Sequence, residues 1–295
     1  MKKPWYEWIQ SIDRRIIYLV VFVLVSLPFF IPIPLPMDVS EQVQKLYNKV
    51  EEIAEYNKTA KKKKVVLFSM EWDPAVQAEC WPQTEAMAEH CLTRGVPFIL
   101  FSRWRPEGPT LAQQIAEKRA KEHGKKYGED WVNFGYKRMD LPAFLAFIKD
   151  IYSQVTKDTE GTPIRTVPMM KHVESIRDVD LIFHVTGSVG VEQWIQYLQP
   201  ETGVDVSIGC TAIIGPEMYP YLDSGQMVGM MEGLSGAAQY ERLVGHLEGR
   251  GTRGMGSQNL AHFWIIAMMI LGNVGYVFQR RRERLDKQRV EMSGE

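Results

Sequence analysis

The chain reads as an α/β protein of the Rossmann-like class, a mostly parallel sheet of five or six strands with helices on both faces, set between two transmembrane helices. Three observations predict this. Short apolar runs alternate with helix-period runs from Lys64 to His246, the spacing of βαβ units. The segment Ile16 to Met37 opens with seventeen residues that carry no charge and are apolar except for Ser26. A second apolar run, Leu260 to Phe278, follows near the far end.

Residues 1–15 place Trp5, Tyr6 and Trp8 beside Lys2, Lys3, Arg14 and Arg15, an interfacial collar on the cytoplasmic side. Residues 16–37 form the first span. Its helix is expected to continue through Pro28 and stop near Ile31 to Pro34, where the prolines lack amides. Residues 38–60 form an amphipathic helix, with Asp38 and Glu41 at capping-box spacing. Its apolar seam, Val39, Val43, Leu46, Val50 and Ile53, serves either a helix docked on its own domain or a self-association stalk.

Residues 61–248 form the α/β domain, roughly 190 residues and a comfortable size for one core. Strands are expected at Val65–Met70, Pro97–Ser102, Trp131–Tyr136, Asp180–Val185, Asp205–Cys210 and Gln226–Met231. Between them fall helices at 83–94, 110–123, 141–155, 191–198 and 216–223, with a short one at 173–177 before the fourth strand and a last helix at 237–246. Gly95 and Gly124 stop the first two, and a polar connector, 156–168, follows the third. Residues 249–259 read as a Gly-rich linker. Gly249, Gly251 and Gly254 satisfy G-x-G-x-x-G there without the strand-turn-helix context that gives the pattern meaning. Residues 260–278 form the second span, where the amide of Asn273 calls for a partner on another helix or subunit. The basic tail, 279–295, suits an anionic inner leaflet.

Basic residues outside both spans place both termini in the cytoplasm and the domain outside it. The Lys61–Lys64 run lies on the outer side but far from the span. A formal net charge of −1 over 295 residues argues against a nucleic-acid partner. Three cysteines cannot complete a disulfide framework; Cys80 could pair with Cys91, or all three could be buried thiols. Six histidines are scattered, and His184 inside an apolar strand reads as a hydrogen-bonded core residue rather than a metal ligand. No P-loop, H-E-x-x-H, C-x-x-C or nucleophile-elbow pattern occurs, so no metal, cofactor or catalytic residue is assigned.

Ligands of open parallel sheets sit outside the carboxyl ends of the strands, which selects the candidates. They are Glu71, Trp72 and Asp73 after the first strand, and Arg103, Trp104 and Arg105 after the second. Thr186, Gly187, Ser188 and Gly190 follow the fourth, Thr211 the fifth and Glu232 the sixth. TGSVG offers either an anion-binding turn or a tight turn that needs glycine. The two acids of EWDP could act as acid and base, bind a cation or a hydroxyl-rich ligand, or merely end a strand. Arg103 and Arg105 could clamp an anion, Trp104 could stack on a flat or cationic ligand, or the loop could touch lipid headgroups.

The runs SMEWDP, EGPTLAQQI and YPYLDSGQMVGMMEGLSGAAQYE, followed by the Gly-rich stretch and terminal span, resemble a family of prokaryotic membrane-anchored α/β proteins without an assigned activity. The resemblance covers Lys64 to Phe278; it implies the fold and the membrane topology and carries over no catalytic residue. The expected function is an extracytoplasmic, non-catalytic domain, tethered to the lipid bilayer, that binds a small ligand or partner protein. The alternatives are an assembly subunit joined through the Val39–Ile53 seam and Asn273, and a hydrolase or transferase using Glu71 or Asp73.

Overall fold

The computed structural model describes residues 4–31, 38–188 and 190–293. It divides into two compact units, Pro36–Thr252 and the pair Met1–Leu35 with Arg253–Glu295.

The larger unit holds six strands: β1 (Val66–Glu71), β2 (Phe98–Ser102), β3 (Trp131–Tyr136), β4 (Leu181–Thr186), β5 (Asp205–Cys210) and β6 (Gly229–Glu232). All pair in parallel, in the order β3-β2-β1-β4-β5-β6. That is the doubly wound arrangement of Rossmann-like sheets, with its switch point between β1 and β4. Alternate side chains enter separate cores. Val66, Phe68 and Met70 meet α3 (Glu41–Thr59), α4 (Gln77–Arg94), α5 (Glu107–Glu122) and α10 (Gly233–Leu243). Leu67, with Ile182 and Ile208, meets the opposite layer. That layer is built from α6 (Leu141–Lys149), α7 (Glu192–Tyr197), α9 (Gly215–Asp223) and a series of 3-10 turns between Ile151 and Asp178; α8 (Gln199–Thr202) follows α7.

Several expectations change. Asp38 does not cap the first helix of this unit. Ser40 precedes it instead, and its amide and hydroxyl both donate to Gln239 Oε1, at 2.9 and 2.7 Å. The α3 seam packs on this unit's own core: Val43, Leu46, Val50 and Ile53 are 0–1% exposed, and Val39, ahead of the helix, lies partly buried against the same cluster. The helix expected over 141–155 ends at Lys149, because the Asp150 carboxylate turns to accept from the Tyr152 amide at 2.9 Å and starts a 3-10 turn. Cys80 and Cys91 cannot pair. They lie on the same helix, about 16 Å apart at 1.5 Å per residue, and all three cysteines are buried free thiols. His184 is the hydrogen-bonded core residue expected, its Nδ1 lying 3.0 Å from Ser69 Oγ.

The Gly-rich stretch is helix rather than linker, because α11 (Arg250–Ser293) begins there. Its first amides have a fixed acceptor. The buried carboxylate of Glu241 takes hydrogen bonds from the amides of Gly251 and Thr252, each at 2.8 Å, and from the Thr252 hydroxyl at 2.7 Å. A helix start satisfied in this way tolerates glycines that propensity alone would disfavour.

In the smaller unit, α1 (Trp5–Gln10) precedes α2 (Arg14–Phe30), whose end at Ile31 falls where proline was expected to stop it; Pro32, Pro34 and Pro36 lie outside the described residues. Ser257 Oγ donates to the Val25 carbonyl at 2.8 Å, and Trp5 packs edge-on against Phe278 at 5.3 Å between centroids. The Asn273 Nδ2 donates to Met269 O one turn earlier, at 2.9 Å. Among the described residues one helix, over Arg250–Arg289, is long and apolar enough to cross a membrane; α2 has 17 residues.

Candidate functional site

The carboxyl edge of the sheet carries every residue singled out from the sequence, and the structure divides them into fixed and outward-facing groups. Glu71, the last residue of β1, shares the face of Leu67 and is 3% exposed. Its carboxylate closes the turn after β2. Oε1 accepts from the Arg103 amide at 2.7 Å, and Oε2 accepts from Ser102 Oγ at 2.9 Å, Trp104 N at 2.9 Å and Arg105 N at 3.2 Å. Three successive amides make a nest suited to an anion, and the anion in it is the protein's own side chain. Burial raises the Glu71 pKa, and the four hydrogen bonds, which pull it down, only partly offset that effect.

The neighbouring residues are also committed. Trp72 is buried, edge-on to Trp81. Asp73 caps the 3-10 turn Pro74–Val76, accepting from the Ala75 amide at 2.9 Å, and pairs with Arg105 Nη1 at 3.2 Å. Arg103 does not reach outward as an anion clamp. Its Nε donates to Met139 O at 3.1 Å, its Nη1 donates to Gln193 Oε1 at 2.6 Å, and its plane lies 4.0 Å from the Phe144 centroid. Burial lowers its pKa.

On the β4 side, Thr186 Oγ1 accepts from the Ser188 amide at 3.0 Å and donates to Ser188 O at 2.9 Å, closing the start of TGSVG on itself. Val189 lies outside the described residues. Gly190, at φ +153°, lies under Trp104, where a Cβ would come within 2.6 Å of the ring. Its amide donates to Glu192 Oε2 at 2.6 Å, so a carboxylate of the chain already holds the place an anion would take. The tight-turn reading of this motif is the one the geometry carries.

Farther along the edge, the Thr211 carbonyl accepts from Ile214 N and Gly215 N at 3.0 and 3.2 Å. Glu232 accepts from the Tyr219 hydroxyl at 2.8 Å, which raises the tyrosine's pKa. Glu79, from the first turn of α4, accepts from Ala212 N at 2.9 Å. Glu79, Gln193 and Tyr219 escaped sequence reasoning because their partners lie 133, 90 and 13 residues away in the chain and no local pattern marks them. Ile213 escaped as well; it is 84% exposed at the tip of the turn after β5.

The outward surface is therefore Trp104, 36% exposed, with Arg105, Ile213 and Tyr219. A shallow open pocket of about 300 Å³, lined by Pro74, Pro106, Glu107, Thr110 and Leu111, lies beside the ends of β1 and β2. A dinucleotide, the ligand this strand order most often serves, does not fit. The turn after β1, Trp72-Asp73-Pro74-Ala75, has no glycine to admit a pyrophosphate, and the side chain of Val76 packs where Gly187 approaches. Among the described residues no three His, Cys, Asp or Glu side chains are grouped so as to hold a metal ion. In comparisons with known proteins, no family model, no curated protein and no solved structure matches the chain.

Proposed function

We propose that the chain is a membrane-tethered Rossmann-like domain that binds a small ligand or partner protein at the carboxyl edge of its sheet without turning it over. The observation that carries this reading is the commitment of the edge carboxylates. Glu71, Asp73, Glu79 and Glu232 each accept from the protein's own donors, whereas Trp104, Arg105, Ile213 and Tyr219 face outward. A general acid or base needs a carboxyl within reach of a substrate proton; an aromatic and cationic rim supports stacking and charge recognition instead.

Membrane attachment rests on exposed apolar surface. Only 6% of the apolar window in α11 is buried, and Ile16, Tyr18, Leu19, Phe22 and Phe30 of α2 are exposed. Lipid is the solvent that suits such a surface. The uncharged part of α2, residues 16–30, extends about 22 Å against a hydrocarbon core of about 30 Å. With α2 and α11 both crossing, Arg14 and Arg15 join Arg280–Arg282 and Arg284 on the cytoplasmic side, and the domain lies outside.

Two experiments test the reading. In intact cells, a membrane-impermeant maleimide labels a Lys61→Cys variant; labelling only after lysis would invert the topology. Against the full chain in detergent, a panel of sugars, amino acids and nucleotides is screened by thermal shift. A hit is expected to lose its effect in Trp104→Ala and Arg105→Ala and to be recovered unchanged. Conversion of a panel compound, abolished in Glu71→Gln or Asp73→Asn, would replace binding with catalysis.

A further inference from the structure

The segment from Ile151 to Val179 is expected from its sequence to hold the end of a helix at 155, a polar connector over 156–168 and a short helix over 173–177; apolar residues all along it are buried. Ile151, Val155, Ile164, Met170, Val173 and Ile176 all enter the core. Long irregular segments held this firmly are commonly binding elements. The stretch around Thr159 runs beside β3, where its amide donates to Asn133 O at 3.0 Å, and the rest lies at the amino edge of the sheet: Asp180 N donates to Val65 O at 2.9 Å, just ahead of β4 and β1, and Met169 N donates to Gly128 O at 3.0 Å, ahead of β3.

The segment lines a pocket of about 380 Å³ that is open to solvent on one side, within the size range of small-ligand sites. Tyr152 forms part of its wall, fixed because its hydroxyl donates toward Val173 O at 3.0 Å and Met170 O at 3.3 Å. The Arg165 guanidinium lies 3.9 Å from the Tyr152 ring centroid. Stacking uses the face of the guanidinium and leaves its N–H edges directed outward. Arg165 and Lys171 both line the cavity, and neither makes a hydrogen bond or ion pair with a described residue. Glu174 is the acid in the lining, the carboxylates of Asp150 and Asp178 also act on the Tyr152 hydroxyl, Asp178 being paired with Lys62, and Val167 and Met170 supply apolar wall.

We propose that this cavity is a second binding site, for a small organic anion whose carboxylate or phosphate is held by Arg165 and Lys171 and whose body lies against Tyr152, Val167 and Met170. Arg165 takes the anion edge-on through two parallel N–H bonds, and Lys171 adds a mobile point charge. The site is independent of the proposed one at the carboxyl edge.

The test uses the full chain in detergent with inorganic phosphate and with succinate as probes, ionic strength being held constant with sodium chloride. A saturable rise in the thermal midpoint is expected with at least one probe, about 3–5 °C at ten times its dissociation constant. Which probe acts tells phosphate from carboxylate. The rise disappears in Arg165→Ala/Lys171→Ala, shrinks in Arg165→Lys and persists in Arg105→Ala, which alters only the other site. Both cations are exposed, so the variants fold; Arg165→Glu, which reverses the charge, is a second variant and also abolishes the rise. An equal rise in the double variant, an equal rise from chloride alone, or no saturable rise with either probe would overturn the proposal.

Discussion

Replacing Glu71 with alanine separates a structural carboxylate from a catalytic one. The change removes the acceptor of four hydrogen bonds and leaves the Ser102 hydroxyl and the amides of Arg103, Trp104 and Arg105 without it. Each bond to a charged group contributes about 1.5–3 kcal/mol. Four bonds to one carboxylate do not add, water can enter beside the half-exposed Trp104, and removing a buried charge recovers part of its desolvation cost. The net loss is about 3 kcal/mol, a fall in midpoint of roughly 6–12 °C for a domain of this size. Glu71→Gln keeps one acceptor oxygen but turns an amide group toward amide donors, and loses about half as much. Near-UV circular dichroism of the full chain in detergent, followed during heating, reads both variants against the parent. A midpoint unchanged within about 1 °C would refute the argument. A raised midpoint would refute it more informatively, since carboxylates held unfavourably for catalysis commonly release stability when removed.

Other outcomes follow from the same geometry. Glu241 is 1% exposed, and burial pushes its carboxyl from 4.5 to about 7, with Glu85 adding repulsion. The folded state therefore binds more protons between those values, and this contribution is fullest below about 4.5 and is lost as pH rises to about 7. The loss is of order 3 kcal/mol; the difference in urea stability between the parent and Glu241→Gln should change by that amount between pH 4.5 and 8, and a pH-independent difference would contradict it. Leu46→Ala should cost about 2–5 kcal/mol by urea unfolding, and Leu46→Glu should unfold the domain; a folded Leu46→Glu variant of smaller oligomer size would restore the stalk reading of α3. Burial raises the pKa of all three thiols, Cys210 to about 12. Iodoacetamide at pH 8 should therefore leave all three unmodified until denaturant is added, and rapid labelling of any one in the folded chain would contradict its burial.

Much of this architecture is written locally. Trp131–Tyr136 and Asp205–Cys210 are strands over the residues that their β-rich composition marks, and the α3 seam shows its four-and-three spacing whatever it packs against. Periodicity and turn residues act within a few positions, so the alternation of strands and helices, and with it the parallel sheet, can be read from the chain alone. The position of the candidate site can be read as well, because carboxyl ends of strands follow from strand order. Its chemistry cannot. Glu71 and Asp73 look equally free in SMEWDP, and only the arrival of Ser102–Arg105 on the neighbouring strand turns Glu71 into the anchor of a turn. Arg103 looks like a clamp until Gln193, from α7, takes its guanidinium. The glycines of residues 249–259 spell a linker until Glu241, ten residues earlier, accepts the first amides of α11. The basic cavity at Arg165 exists only once the connector folds back onto the core. Propensity decides where the backbone turns, but partners brought together from distant positions decide whether a charged side chain is occupied or available. The sequence by itself determined a Rossmann-like domain flanked by apolar segments; tertiary structure decided which of its polar groups remain to meet anything else.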